Sequence, residues 1–522
     1  MGDPAPITYT TTPADDEALH AGYEAGVRRA RARLGRSHGF RIDGKERGSA
    51  GVRVERSPID RDLVIGRFAQ ATPADVDEAV SAAAAFAPTW AATPWVERLA
   101  VLRGAAKLID QRRFLLAATL SFEVGKNRLE AFGDAHEAAE LIRYYCDEME
   151  RHEGFARPMG RLTPEEQTLD VLLPYGVWAV ISPFNFPAAL AAGPAAAALI
   201  AGNTVVLKPS SAGTLATLLV ADALSDAGLP TGALQVVTGS GHPAGEALVS
   251  HPRLAGITFT GSAEVGMAIY RSFSAEQHPR PVICEMGGKN PVIIGRGADL
   301  DTAVEGTVRS AFGFGGQKCS AASRAFITRP LYDEFLERLV ARTESLVVGN
   351  PLGREVYLGP LIDEKAVARF EEAVAEASAR GSLVTGGRRL TEADLARGNY
   401  VLPAVVEAPA DSWVWRRELF APLLAVAPVD SLEEALAAAN DTEYGLTAGF
   451  YGSDPAEIDH FLEGTHAGVV YVNRRAGATT GAWPAVQPFG GWKGSGTQGK
   501  SAGGPYYLLQ YLREQSRTIL AR

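Results

Sequence analysis

From about residue 170 onward, short and wholly apolar runs alternate with helix-patterned stretches. This alternation constrains the fold more than any other feature of the chain. Residues 171–173, 177–181, 204–207, 234–237 and 256–259 read as strands. The Ala-rich stretch 188–202 and the stretch 215–227 read as the helices between them. Strands that alternate with helices in this way build βαβ units and a parallel sheet. A second series starts near Pro281, where 282–284 and 292–294 read as strands. Residues 299–312 then read as a helix with Leu300, Val304, Val308 and Phe312 on one face. The alternation continues to about residue 475.

Before this region the pattern is helical. Residues 1–40 look helical and charged with a frayed start, 74–87 and 95–119 are amphipathic, and 123–145 continues in that style. The arginines between 28 and 36 fit a solvated helix face. The tail, 504–522, has alternating and apolar pieces that would add an edge strand to a partner subunit.

A chain of 522 residues carries a prior of roughly three domains. Lys+Arg of 51 against Asp+Glu of 61 gives a net charge of −10, which argues against a nucleic-acid partner. Three cysteines cannot make a disulfide framework; they suggest a reducing compartment, or thiols kept for chemistry. Residues 1–17 are polar and acidic, with no secretory signal. The most apolar stretch, 188–202, is interrupted by Pro194 and falls short of the roughly 20 residues a membrane span needs. A cytoplasmic protein without a membrane partner is expected.

The segment Gly313-Phe-Gly-Gly-Gln-Lys-Cys319-Ser320 closes a glycine run with a cysteine directly after a helix. Such a site lets a thiol project into a cleft beside free backbone N–H groups. Lys318 and the N-terminus of a following helix would lower its pKa. Free cysteines are more often inert packing residues, and Cys146 and Cys284 fit that description. Glu285 ends a strand beside Gly287 and Gly288, where a buried carboxyl would serve as a general base; a surface turn acid is the plain alternative. Gly261 and Ser262 follow a strand and would open a helix able to receive a pyrophosphate. Lys208 follows the strand at 204–207 and would reach a ribose or a phosphate. Each of these alone could be an ordinary turn.

Taken together and in this order, the segments ISPFNFP (181–187), VVLKPS (205–210), FTGS (259–262), EMGGKNPV (285–292), GQKCSAASR (316–324), ELFAP (418–422) and QPFGGWKGSG (487–496) resemble the aldehyde dehydrogenase superfamily. The resemblance implies an α/β aldehyde dehydrogenase fold. Its parts would be an NAD(P)-binding Rossmann-like domain (1–151 and 174–286), an α/β catalytic domain (287–495) and a β oligomerisation arm (152–173 and 496–522). An arm of that kind buries its edge only against another subunit, so a homodimer or higher homo-oligomer is expected.

The resemblance also implies NAD(P)-dependent oxidation of an aldehyde to a carboxylate. Cys319 would be the nucleophile, Asn185 with the Cys319 backbone N–H the oxyanion donors, and Glu285 the base that activates water. NAD or NADP would be held by Lys208 and Glu418 at the riboses, Phe420 at the nicotinamide and Ser262 at the pyrophosphate. Ser182, Pro183, Phe184, Ser210 and Ser211 would line the same cofactor site. So would Gly241, Gly245, Gly261, Val265 and Gly287. No metal ligand is assigned.

FEVGKN (122–127), IRYY (142–145), GQKCSAASR and TGAWPAVQPFGG (480–491) resemble the 1-pyrroline-5-carboxylate dehydrogenases, which oxidise L-glutamate 5-semialdehyde. That resemblance implies Ser320, Gly481 and Ala482 around the substrate carboxylate, Glu137 near its ammonium, and Phe186 and Phe489 along its aliphatic middle. A solvated Glu137 and a core Phe489 are the plain alternatives. The stretch 473–480 looks longer than the family's usual run, which leaves another aliphatic or aromatic aldehyde as an alternative substrate. Ser211 stands where many NAD-preferring relatives carry an acid, so NADP should be tolerated. A CoA-acylating or thioesterase-like enzyme is the alternative of a different class; Glu285 argues against it, because transfer to CoA needs no such base.

Overall fold

The computed structural model describes residues 16–275, 278–478 and 483–520. Its first large sheet has seven strands. In spatial order they are Val282–Glu285, Gly256–Thr260, Val177–Ile181, Thr204–Lys208, Leu234–Val236, Phe40–Ile42 and Lys45–Arg47. The first five pair in parallel, and the last two form an antiparallel hairpin at the edge. The central strands are buried along almost their whole length, because helices cover both faces of the sheet. From Val177–Ile181 the chain moves outward through 204–208 and 234–236, then returns to lay 256–260 on the other side. The strand order therefore reverses between 177–181 and 256–260. In open α/β sheets the crevice beyond the carboxyl ends at such a point is where ligands bind.

The second sheet also has seven strands, with Ala322–Thr328 between Leu423–Val429 and Asn290–Ile294. A third, three-stranded sheet places Leu512–Leu520 antiparallel to Glu166–Pro174, with Ala156–Pro158 beyond. The tail is thus paired within its own chain, and its outer side is an exposed edge. No helix among the described residues is long and apolar enough to cross a membrane.

Several sequence expectations are corrected here. Residues 282–284 were expected to open the second series. The strand Val282–Glu285 instead closes the first sheet beside 256–260, since an apolar run does not say which sheet it joins. Within the described part of 1–40 the helix is Glu17–Arg31, and five strands occupy residues 36–69. The stretch 95–119 divides at Arg112, into helices Trp95–Gln111 and Arg113–Val124. The stretch 123–145 breaks at Gly125, which takes a left-handed φ of +79°. The chain restarts as helix Arg128–Arg151, capped by Asn127. That break delivers Lys126 to the interior.

Candidate active site

Four carboxyl ends of the first sheet bring the expected cofactor residues together. The loop after Val177–Ile181 carries Ser182, Pro183, Phe184, Asn185 and Phe186. Ser182 is buried, and its hydroxyl has no hydrogen-bond partner among the described residues. Lys208 ends its strand. Among the described residues its ammonium reaches only the Pro209 carbonyl, at 3.3 Å, and burial pulls its pKa down to about 8. Gly245, in the helical turn Gly241–Gly245, lies so close that a Cβ there would stand 3.4 Å from Lys208 Cε. Ser210 accepts from the Ala212 N–H, and the Ser211 hydroxyl donates to the Gly239 carbonyl at 3.3 Å, tying two of the loops together. Gly261 and Ser262 follow Gly256–Thr260 as expected. The Ser262 hydroxyl caps helix Ala263–Ser274 by accepting from Val265 N–H at 3.4 Å, and Val265 is exposed. A capped helix N-terminus, an underbonded lysine and an orphaned hydroxyl in one crevice suit a dinucleotide's phosphates and riboses.

Glu285 ends the edge strand Val282–Glu285. Its Oε2 is buried with no hydrogen-bond partner among the described residues, and burial lifts its pKa to about 8. Glu418 approaches from the second lobe, where its Oε1 accepts from Gly288 N–H at 2.9 Å. A Cβ on Gly287 would lie 2.1 Å from Glu418 Oε2, so only glycine leaves room for this carboxyl. Burial lifts Glu418 to about 7. Phe420 adopts a φ of +55° and meets Phe184 edge to face, with centroids 5.8 Å apart.

Cys319 sits between the turn Gly313–Gly316 and strand Ala322–Thr328, partly covered by a cluster of Leu446, Val469 and Phe489. Asn185 reaches across from the first lobe, and its Nδ2 donates to the Gln317 carbonyl at 3.0 Å. The second N–H of that amide is not used in this bond. The expectation that Lys318 and a following helix would lower the thiol pKa is corrected. A strand follows, not a helix, and the Lys318 ammonium turns away to Glu130 at 2.6 Å. The thiol is instead pushed up to about 12, by burial first and then by the carboxyls of Glu418 and Glu285. The other two cysteines are packing residues: Cys146 is in a core cluster, and Cys284 lies against Gly266.

Of the expected substrate residues, Glu137 is buried on helix Arg128–Arg151 rather than solvated. Ser320 is buried beside the nucleophile, with Thr447 donating to its carbonyl at 3.2 Å. Phe489 is both a cluster member and a neighbour of Cys319. Gly481 and Ala482 lie outside the described residues.

Three features were not read from the sequence. Lys126 is fully buried, paired with Asp134 at 2.8 Å, and its ammonium stands 3.5 Å from the Phe186 ring centroid. Asp134 also accepts from Ala189 N–H at 2.8 Å, which fixes the end of the Asn185 loop. Glu130 and Lys318 form a second buried pair between the lobes. Lys289 is buried with no hydrogen-bond partner for its ammonium among the described residues; burial takes its pKa down to about 7. The lysine after a glycine in FEVGKN was the one available signal.

Comparison with known proteins agrees with this geometry. The description "Aldehyde dehydrogenase family" matches residues 49–516. A 1-pyrroline-5-carboxylate dehydrogenase of Geobacillus sp. (strain WCH70) is 36% identical over 98% of this chain and 98% of its own. A solved 1-pyrroline-5-carboxylate dehydrogenase from Thermus with bound NAD superposes with a TM-score of 0.92 at 34% identity, covering 100% of this chain and 99% of that one. Proline utilization A from Bdellovibrio bacteriovorus superposes with a TM-score of 0.92 at 36% identity. The match covers 97% of this chain and 52% of that one, so this chain spans about half the length of that protein.

Proposed function

The chain belongs to the aldehyde dehydrogenase family, and from that premise we propose that it oxidises L-glutamate 5-semialdehyde to L-glutamate, in proline breakdown, with NAD or NADP as electron acceptor. The observation that carries the substrate assignment is similarity along the whole chain, 98% of it, to relatives named for 1-pyrroline-5-carboxylate. A buried acid at Glu137 and a buried serine at Ser320 support it, since a zwitterionic aldehyde needs an acid for its ammonium and donors for its carboxylate.

Cys319 adds to the aldehyde carbon, and its proton passes to a neighbouring carboxylate. Burial first, and then the carboxyls of Glu418 and Glu285, hold that proton on sulfur. The Asn185 amide and the Cys319 backbone N–H donate to the developing oxyanion. When bound, the cofactor would supply the hydride acceptor for the step from adduct to thioester; Lys208 and Glu418 would hold its riboses and Ser262 its pyrophosphate. Glu285 then takes a proton from water as that water attacks the thioester carbon; glutamate leaves and Cys319 is regenerated.

The parts that carry this chemistry are, in this reading, a cofactor lobe (1–151 and 174–286), a catalytic lobe (287–495) and an arm (152–173 and 496–522). The exposed edge of Leu512–Leu520 supports assembly with at least one further copy. Free cysteines fit a cytoplasmic setting.

A panel of aldehydes tests the substrate. The kcat/KM for glutamate semialdehyde should exceed that for propanal and benzaldehyde by about 100-fold or more, the discrimination expected when buried polar groups pair with only one substrate. Equal values would leave an aldehyde dehydrogenase of different specificity. A requirement for CoA would move the enzyme to the acylating class.

A further inference from the structure

Asn290 begins the strand Asn290–Ile294 and is 1% exposed. Its side chain is spent on the loop that carries Cys319. The Nδ2 donates to the Cys319 carbonyl at 2.7 Å and to the Ala321 carbonyl at 2.9 Å. The Oδ1 accepts from Thr447 N–H at 3.0 Å. Only one orientation of the amide makes these three bonds. A backbone N–H can only donate and a carbonyl can only accept, so the oxygen must face Thr447 and the nitrogen must face the loop. A Cβ on Gly288 would lie 2.6 Å from Asn290 Oδ1 and 2.7 Å from the Cys319 carbonyl oxygen, so glycine two residues earlier leaves room for the clamp.

The rest of the loop is held the same way, by its carbonyls. Those of Gln317, Lys318 and Ser320 accept from Asn185 Nδ2 at 3.0 Å, Ala321 N–H at 3.0 Å and Thr447 Oγ1 at 3.2 Å. With Asn290 on the other two, every carbonyl from 317 to 321 has a donor. A trans peptide points its C=O and its N–H in opposite directions. Holding the Cys319 carbonyl therefore aims the Ser320 N–H, and holding the Lys318 carbonyl aims the Cys319 N–H. Both N–H groups face the thiol. Burial lifts the thiol pKa first, and the carboxyls of Glu418 and Glu285 lift it further, while hydrogen bonds from the Ser320 and Cys319 N–H groups draw it down. An apolar side chain of the same size would fill the space of Asn290 but would leave two buried carbonyls of this loop without their donor.

We propose that Asn290 is a positioning residue for the nucleophile: by clamping the Cys319 and Ala321 carbonyls it keeps the Ser320 N–H turned toward the sulfur, where it stabilises the thiolate. The proposal rests on the reading of Cys319 as the nucleophile. It gives Asn290 no contact with substrate or cofactor. Loss of the clamp frees the 319–320 peptide to rotate, and the buried thiolate then loses a donor.

The test is alkylation of the full-length enzyme by iodoacetamide at about pH 8, with peptide mapping to follow the label on Cys319. Stopped-flow hydride transfer with saturating NAD and one good aldehyde runs beside it. Asn290→Ala should slow labelling of Cys319 about tenfold, the effect of a one-unit rise in thiol pKa. Hydride transfer should slow by at least as much, with the Kd for NAD within a few-fold of wild type. A merely structural Asn290 predicts the opposite sign, because a loosened loop exposes the sulfur and labels faster. Thr447→Val removes the donor to the Ser320 carbonyl and keeps the volume. It should slow labelling in the same direction by less, and it carries the test if Asn290→Ala does not fold. Labelling of Cys319 at or above the wild-type rate in whichever variants fold would overturn the proposal. Cys319→Ala separates the two readings: undiminished turnover in that variant would show that the nucleophile assignment itself is wrong.

Discussion

Asn185 and Gln317 are joined across the two lobes by a hydrogen bond of 3.0 Å, from a side-chain amide to a backbone carbonyl two residues before Cys319. One amide proton fixes the side chain, and the other is not used in that bond; in the proposed reading it donates to the oxyanion. Replacing Asn185 with Ala removes a prealigned oxyanion donor. The expected loss is about 100- to 1000-fold in kcat, with the Kd for cofactor little changed. Stopped-flow hydride transfer and cofactor fluorescence titration read the two quantities separately.

Glu285 is held above its ordinary range by burial, at about 8. Its unfolded-state value is lower, so the native state keeps a proton that the unfolded chain releases as pH rises past about 4.5. Stability is therefore lost between that pH and about 8, where the native group also ionises. Glu285→Gln removes this penalty. It should raise the unfolding free energy more at pH 8 than at pH 5, by roughly 2 kcal/mol or more, while hydrolysis of the thioester falls about 100- to 10,000-fold. Chemical denaturation at the two pH values checks the first outcome.

Lys126 and Asp134 should behave as one unit. Lys126→Met leaves a buried carboxylate without its cation, and about 3–5 kcal/mol of stability should be lost. Combined with Asp134→Leu, much of that loss should be recovered, because no charge then remains unpaired. Urea unfolding of both singles and the double variant measures the coupling. Activity in the double variant should stay low, because the Ala189 N–H and the Phe186 ring lose the groups that hold the Asn185 loop.

Ser211 uses its hydroxyl on the Gly239 carbonyl and carries no negative charge; in the proposed reading it lines the adenosine end of the cofactor site. NADP should therefore support turnover. Ser211→Glu should lower kcat/KM for NADP by about tenfold or more, through repulsion of the 2′-phosphate, and leave that for NAD within a few-fold. A wild-type enzyme that works only with NAD would contradict this.

The features legible in the sequence are local ones. Cys319 after a glycine run, Glu285 at a strand end and Ser262 before a helix each lie within a few residues of what defines them. Their order along the chain carried the rest. The interior charges were not legible. Lys318 finds Glu130 across 188 residues, and Thr258 finds Tyr511 across 253. Such partners are set by how helix Arg128–Arg151 and the C-terminal segment pack, which no periodicity reports. The error over Lys318 came from the same source: proximity in sequence suggested that it would activate the thiol, whereas a buried carboxylate elsewhere takes its ammonium.

Trapping the acyl-enzyme tests the central claim most directly. Glu285→Gln, incubated with glutamate semialdehyde and NAD, should form one equivalent of reduced cofactor per subunit. Peptide mapping by mass spectrometry should then find a glutamyl thioester on Cys319 alone. Unmodified Cys319, or an adduct on Cys146 or Cys284 instead, would contradict the assignment of nucleophile and substrate together.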